Sequence, residues 1–127
     1  MEALATPPTS TVDIVTDAEC RLRDGTVLRA DIYRPGAPGR FPVLLCRTPY
    51  DKQHPRYVTL ARALAARGYI AVVQDIRGRN RSDGEWVWHM TAEGQAVESA
   101  DGYEACEWAA GLPASDGQVG TFGNSYP

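Results

Sequence analysis

Polar and apolar positions change period several times along the chain, and each change marks an element. In AECRLRDGTVLRADIY, which begins at Ala18, Cys20 and Leu22 alternate with Arg21 and Arg23. Leu28, Ala30 and Ile32 then alternate with Arg29 and Asp31. Alternation with period two predicts half-buried strands, and Asp24-Gly25 between them supplies the positive φ angles of a tight hairpin turn. RPGAPGR (34–40) is a loop, marked by its prolines and glycines. FPVLLCR (41–47) and YIAVVQD (69–75) are unbroken apolar runs, the pattern of strands buried on both faces. Between them, YVTLARALAARGY (57–69) carries Leu60, Leu64 and its alanines at helical spacing, with Gly68 closing the helix.

After the second buried strand, IRGRNRSDGEW (76–86) is polar and glycine-bearing, a surface loop. EGQAVESADGYEACEWAAGLP (93–113) predicts a second helix, with Ala100, Tyr103, Ala105 and Trp108 on its apolar face and Gly111 and Pro113 stopping it. A turn from Ser115 leads into a short strand, Val119 to Phe122, and the chain reaches Ser125. The order is hairpin, strand, helix, strand, helix, strand. Alternation of strands with helices predicts an α/β fold built on a mostly parallel sheet, made mixed by the leading antiparallel hairpin.

Composition narrows the function without naming it. With 127 residues, 43% hydrophobic and 23% charged, the chain fits one soluble globular domain. A net charge of −3 shows no basic excess, so neither nucleic acid nor an anionic membrane is expected as a partner. No apolar run approaches the roughly 20 residues of a membrane helix. Residues 1–11 are rich in Pro, Thr and Ser and read as a flexible arm; they have neither the basic start nor the apolar core of a secretory signal. Residues 12–127 form the folded part. Cys20, Cys46 and Cys106 make no CxxC pair, suit a reducing cytoplasm and read as small core hydrophobes. No cluster of Cys, His or carboxylates has ligand spacing, so no metal and no cofactor is expected.

Chemistry enters at GTFGNSYP (120–127). A serine hydroxyl becomes a nucleophile when a base takes its proton and the backbone holds it exposed. A sharp strand-to-helix turn achieves the exposure and needs small neighbours, which Gly123 satisfies. The backbone N–H of Tyr126 would then face a developing oxyanion. Pro127 departs from the G-x-S-x-G spelling but is acceptable in a helix's first turn. On its own, GNSYP is a weak signal, since a Gly-x-Ser at a strand end is more often an ordinary turn. Its place, after a helix and a short strand, is what a nucleophile elbow requires.

Four stretches, in this order and covering nearly the whole chain beyond residue 11, resemble the CocE/NonD family of α/β-hydrolases, the group of cocaine esterase and X-prolyl dipeptidyl-peptidase. They are LRDGTVLRADIYRP (22–35), RTPYDK (47–52), RGYIAVVQDIRGRNRSDGEW (67–86) and DGYEACEWAAGLPASDGQVGTFGNSY (101–126). The resemblance implies the N-terminal part of an α/β-hydrolase fold, ending at the nucleophile elbow. It makes Ser125 the nucleophile, and Tyr50, through its side-chain hydroxyl, an oxyanion donor beside the Tyr126 N–H. It also implies a small-molecule ester or amide as substrate, cleaved through an acyl-enzyme. Family members place their acid and histidine after the nucleophile, together with a helical cap and a β-sandwich domain. The expectation is therefore that this chain is one piece of a larger catalytic unit, completed by a further C-terminal segment or separate chain. Its last strand would otherwise be a naked edge. The competing expectation is a non-catalytic remnant or binding module. Aryl and alkyl esters, α-amino-acid esters, β-lactam acyl side chains and X-prolyl peptides all remain open as substrates.

Other polar residues have blander readings. Asp75 ends a buried strand, as does the ribose-binding acid of a dinucleotide fold, but the glycine fingerprint is replaced by RTPYDK. Asp75 with Arg77 is expected to brace a loop behind the site. His54 and His89 both precede Ser125, whereas α/β-hydrolases run Ser, acid, His. His54 reads as a loop residue near the site, within reach of substrate, and His89 as a surface or packing residue. Asp13, Asp17 and Glu93, Glu98, Glu104 and Glu107 read as solvated faces or caps.

Overall fold

The computed structural model describes residues 11–88 and 91–122. Strand β1 (Val12–Arg21) pairs antiparallel with β2 (Val27–Pro35). The hairpin turns at Gly25, φ +84°, and the Asp24 carboxylate accepts the Thr26 N–H at 3.0 Å. β1 begins six residues before the alternating stretch. Its first half is held by backbone pairing to the end of β2 and leaves Ile14 and Val15 exposed, so no sidedness marks it in the sequence. The ladder is interrupted by a bulge between Val15 and Ala18, where Asp17 adopts φ +56°.

The continuous apolar runs become β3 (Phe41–Thr48) and β4 (Ile70–Asp75), and every residue of β4 is buried. β5 (Ser115–Thr121) closes the described chain. The sheet order is β1-β2-β4-β3-β5, with β3, β4 and β5 parallel and β2 antiparallel to β4. This is the mixed, mostly parallel sheet that the element order implies. β5 starts four residues earlier than expected because Ser115 pairs with Phe41 before the register shifts near Gly117, φ +92°.

Helix α1 (Pro55–Ala66) packs on one face of the sheet. It starts two residues early: Pro55 occupies the first turn, where its missing N–H is not needed, and His54 Nδ1 accepts the Arg56 N–H as the N-cap. At the other end Gly68, φ +100°, and Tyr69 donate to Ala65 O and Leu64 O, a Schellman closure. The stripe facing the sheet is Tyr57, Ala61 and Ala65; Leu60, expected on it, is 44% exposed.

Helix α2 (Ala92–Ala110) covers the opposite face, where Ala105 and Ala109 meet Val43, Leu45, Ile70 and Val72. Thr91 Oγ1 caps it by accepting the Gly94 N–H. The expected apolar face is partly wrong. Tyr103 is 67% exposed, and the buried stripe runs through Gly94, Asp101, Ala105 and Ala109. Asp101 can face inward because arginines meet it there, as described below. Cys20 and Cys46 are core residues, as their spacing suggested. Burial pushes both thiols up to about 11.

Candidate active site

Parallel strands of an α/β sheet release their chains at one edge, and sites form in the loops beyond it. Here the register fixes which residues share that edge. Leu45 of β3 pairs with Thr121 of β5, and Leu45 O accepts the Phe122 N–H at 3.0 Å. On the other side Thr48 pairs with Asp75, and the Ile76 N–H extends the ladder to Thr48 O. β3 thus projects three residues beyond its last bond to the β5 segment and leads directly into Pro49, Tyr50, Asp51 and Lys52. Ser125, Tyr126 and Gly123 lie outside the described residues, as does His89.

The turn after β3 is held from every side. Thr48 Oγ1 accepts the Tyr50 N–H at 2.9 Å and bonds Tyr57 Oη of α1 at 2.9 Å. Asp51 has φ +88°, and its carboxylate accepts the Gln53 N–H. Pro49 O accepts from Arg79 Nε and Asn80 Nδ2, both in the loop after β4. Amid these contacts the Tyr50 side chain is 48% exposed.

Lys52 is fully buried. Its backbone N–H donates to Asp75 Oδ1 at 2.8 Å, and its Nζ lies 2.7 Å from Asp31 Oδ1 and 2.8 Å from Asp17 Oδ1. A buried ammonium is tolerable only with such partners. Burial by itself lowers the Lys52 pKa, but the hydrogen bonds to Asp17 and Asp31 outweigh it and the net shift is upward. The same hydrogen bond from Lys52 draws the Asp17 carboxyl below its ordinary range. Asp17, read in the sequence as a solvated acid, is therefore one wall of an ion triad.

Asp75 does brace the loop, by hydrogen bonds. Besides Lys52 N–H it accepts the Arg81 N–H at 3.1 Å, and its carbonyl accepts Ser82 Oγ. Burial raises its pKa, with those backbone N–H groups acting in opposition. Its expected companion Arg77 pairs elsewhere. Arg77 Nε and Nη2 grip both oxygens of Asp101 at 2.9 and 3.0 Å, and Nη1 reaches Asp24 at 2.8 Å. Arg23 joins the same Asp101 and also Glu104, while Glu98 pairs with Arg47. Glu98 and Glu104 are thus ion-pair partners rather than solvated charges. His54 is an exposed helix cap beside the turn.

Nothing in the sequence marked Lys52 as buried. Its partners lie 21 and 35 positions away, and only its inclusion in RTPYDK drew it near the site. A cleft of about 330 Å³ lined by Asp13, Arg34, Pro35, Phe41 and Ala114 lies at the opposite, N-terminal edge of the parallel strands, away from Tyr50. Among the described residues no three His, Cys, Asp or Glu side chains are grouped to hold a metal ion, and no helix is long and apolar enough to cross a membrane.

The sheet order, the antiparallel β2 and the helices on either face make this the N-terminal part of an α/β-hydrolase fold. It superposes on an α-amino acid ester hydrolase with a TM-score of 0.76 at 26% identity, over 91% of this chain and 21% of that one. Residues 24–127 match the family model of the X-Pro dipeptidyl-peptidases, S15 family, and the chain belongs to that family. It is similar to the cocaine esterase of Rhodococcus sp. (strain MB1 Bresler), at 40% identity over 83% of this chain and 18% of that protein. A CocE/NonD family hydrolase from Staphylococcus aureus superposes with a TM-score of 0.69 at 25% identity, over 85% of this chain and 22% of that one. The chain spans about a fifth of the length of these relatives.

Proposed function

We propose that the chain is the nucleophile-bearing part of a serine hydrolase that cleaves esters or amides through an acyl-enzyme. Ser125 attacks the carbonyl carbon, and the Tyr50 hydroxyl and Tyr126 N–H bind the oxyanion that develops. A complementary C-terminal segment supplies the acid and the histidine that takes the serine proton. One observation carries the reading: the strand leading to Ser125 is in register with β3, so both strands end at the same edge of the sheet, where the hydrogen-bonded turn after β3 presents the half-exposed Tyr50. The relatives named above, an ester hydrolase and an esterase among them, support the reaction class. Three free thiols, two of them in the core, are in keeping with a cytoplasmic setting.

The test is a fluorophosphonate probe on the assembled enzyme. Labelling at Ser125, abolished by Ser125→Ala, is the expected result. Tyr50→Phe is expected to lower kcat on the order of 100- to 1,000-fold, the usual cost of one oxyanion donor. Without the complementary segment, which carries both the acid and the histidine, the rate should fall by on the order of 10⁴-fold or more, as when triad members are removed. No labelling of the assembled enzyme would leave the non-catalytic binding module as the better account. Intact-mass analysis of the active sample checks the segment itself: a single 127-residue species with full activity refutes it.

A further inference from the structure

Resting on that role for Tyr50, we propose that Lys52 is a positioning residue. Its buried ion triad with Asp17 and Asp31, together with its amide bond to Asp75, holds the Pro49–Lys52 turn so that the Tyr50 hydroxyl stays in place. Three independent features of the structure converge on this turn.

The first is backbone conformation. Among the described residues four that are not glycine have a positive φ: Asp17, Asp51, Asn80 and Ala114. Each is held in a sparsely populated region, which persists only where the surroundings dictate it. Three of the four act on the turn. Asp17 pairs with Lys52 Nζ, Asp51 is inside the turn, and Asn80 donates to Pro49 O and, at 3.5 Å, to Asp75 Oδ1. The bulge in β1 has the same destination. It rotates Asp17 so that its N–H donates to Asp31 Oδ1 at 3.1 Å while its carboxylate reaches the ammonium.

The second is burial. Fold stability alone does not call for an ion triad, because well-packed apolar residues of similar volume are often as good or better. What a lysine provides here is directional anchorage. Its long side chain, buried to the tip, ties the Pro49–Lys52 turn to two strands at the far side of the sheet order, β1 and β2.

The third is the contrast in exposure. Thr48, Pro49 and Lys52 are buried around a tyrosine that is half exposed. The turn grips its own backbone and leaves the Tyr50 ring at the edge. An oxyanion donor must keep its geometry within a fraction of an ångström, and a displacement of about 1 Å can cost on the order of 100-fold in rate.

The experiment is a double-mutant cycle on the assembled enzyme, with p-nitrophenyl acetate as substrate and kcat and KM measured separately. Lys52→Met is expected to lower kcat on the order of 10- to 100-fold with KM little changed. In a Tyr50→Phe background the same substitution should have almost no further effect, since there is no hydroxyl left to misplace. Effects that simply multiply, or a change confined to KM, overturn the inference and leave the role of Tyr50 intact. A Tyr50→Phe enzyme with unchanged kcat overturns both. Should Lys52→Met not fold, Asp17→Asn removes one partner from a more accessible position and enters the same cycle with the same expected signature.

Discussion

Asp101 provides the sharpest test of how this fold is held. It is a fully buried carboxylate on α2, gripped by Arg77 from the loop after β4 and by Arg23 from the hairpin. Asp101→Asn keeps the volume but removes the charge and sets an NH₂ group against guanidinium donors. Three charge-assisted bonds at 2.9, 3.0 and 2.9 Å are at stake. Each is worth about 1.5–3 kcal/mol, and breaking a buried pair by changing one partner costs about 3–5 kcal/mol in total. The lower end applies. Arg77 keeps Asp24 and Thr26 as partners, and Arg23, with 44% of its side chain exposed, keeps Glu104 and water. The expectation is about 3 kcal/mol. In urea unfolding with an unchanged slope near 1.5 kcal/mol per M, that lowers the midpoint by about 2 M. Glu104→Gln, at the solvated end of the same cluster, should cost less than about 1 kcal/mol. A midpoint shift for Asp101→Asn as small as that of Glu104→Gln would refute the reasoning, since the carboxylate would then contribute no more than a surface charge.

Two further outcomes follow from burial and backbone geometry. The Cys20 and Cys46 thiols, with ordinary values of 9.0, are held up to about 11, so between those pH values the unfolded chain has lost protons that the folded chain keeps. Their contribution is complete below pH 9 and falls as pH rises towards 11, by at most about 2–3 kcal/mol each. A Cys20→Ala/Cys46→Ala variant should show a shallower alkaline loss of stability than the parent, and parallel pH profiles would contradict this. Gly78 has φ +75°, and a Cβ there would lie 2.0 Å from Trp86 N and 2.4 Å from Glu85 C, so no side-chain movement relieves it. Gly78→Ala is expected to displace the 76–86 loop, with Arg79 lost from the Trp86 ring and at least about 1 kcal/mol of left-handed strain. Tryptophan emission and unfolding midpoint both unchanged would rule this out.

What could be read in the sequence depended on the range of the interaction. The hairpin, β3 and β4 are written in local periods: alternation with Asp24-Gly25 between the strands, and two runs with no polar interruption. Those patterns sufficed for the mixed sheet; Tyr50 was singled out only by the resemblance of RTPYDK to the family, and the register of β3 with β5 is what brings both strand ends to one edge. Helix α2 misled because its buried face is not apolar. A carboxylate can take a core position when guanidinium groups from 24 and 78 residues away arrive to meet it, and no period within the helix reports them. The same holds at the candidate site. Asp17, Asp51, Lys52 and Asn80 all have the composition of solvent-exposed loops, and Asp and Asn are the residues that most readily accept left-handed backbone. Only the register of β1 against β2, bulged by one residue's worth of twist, turns Asp17 toward Lys52. A one-residue change in that bulge would move the carboxylate to the other face of the sheet and leave a buried ammonium with one partner. The polar support of the turn is thus a property of strand register, and a pattern read along the chain cannot contain it.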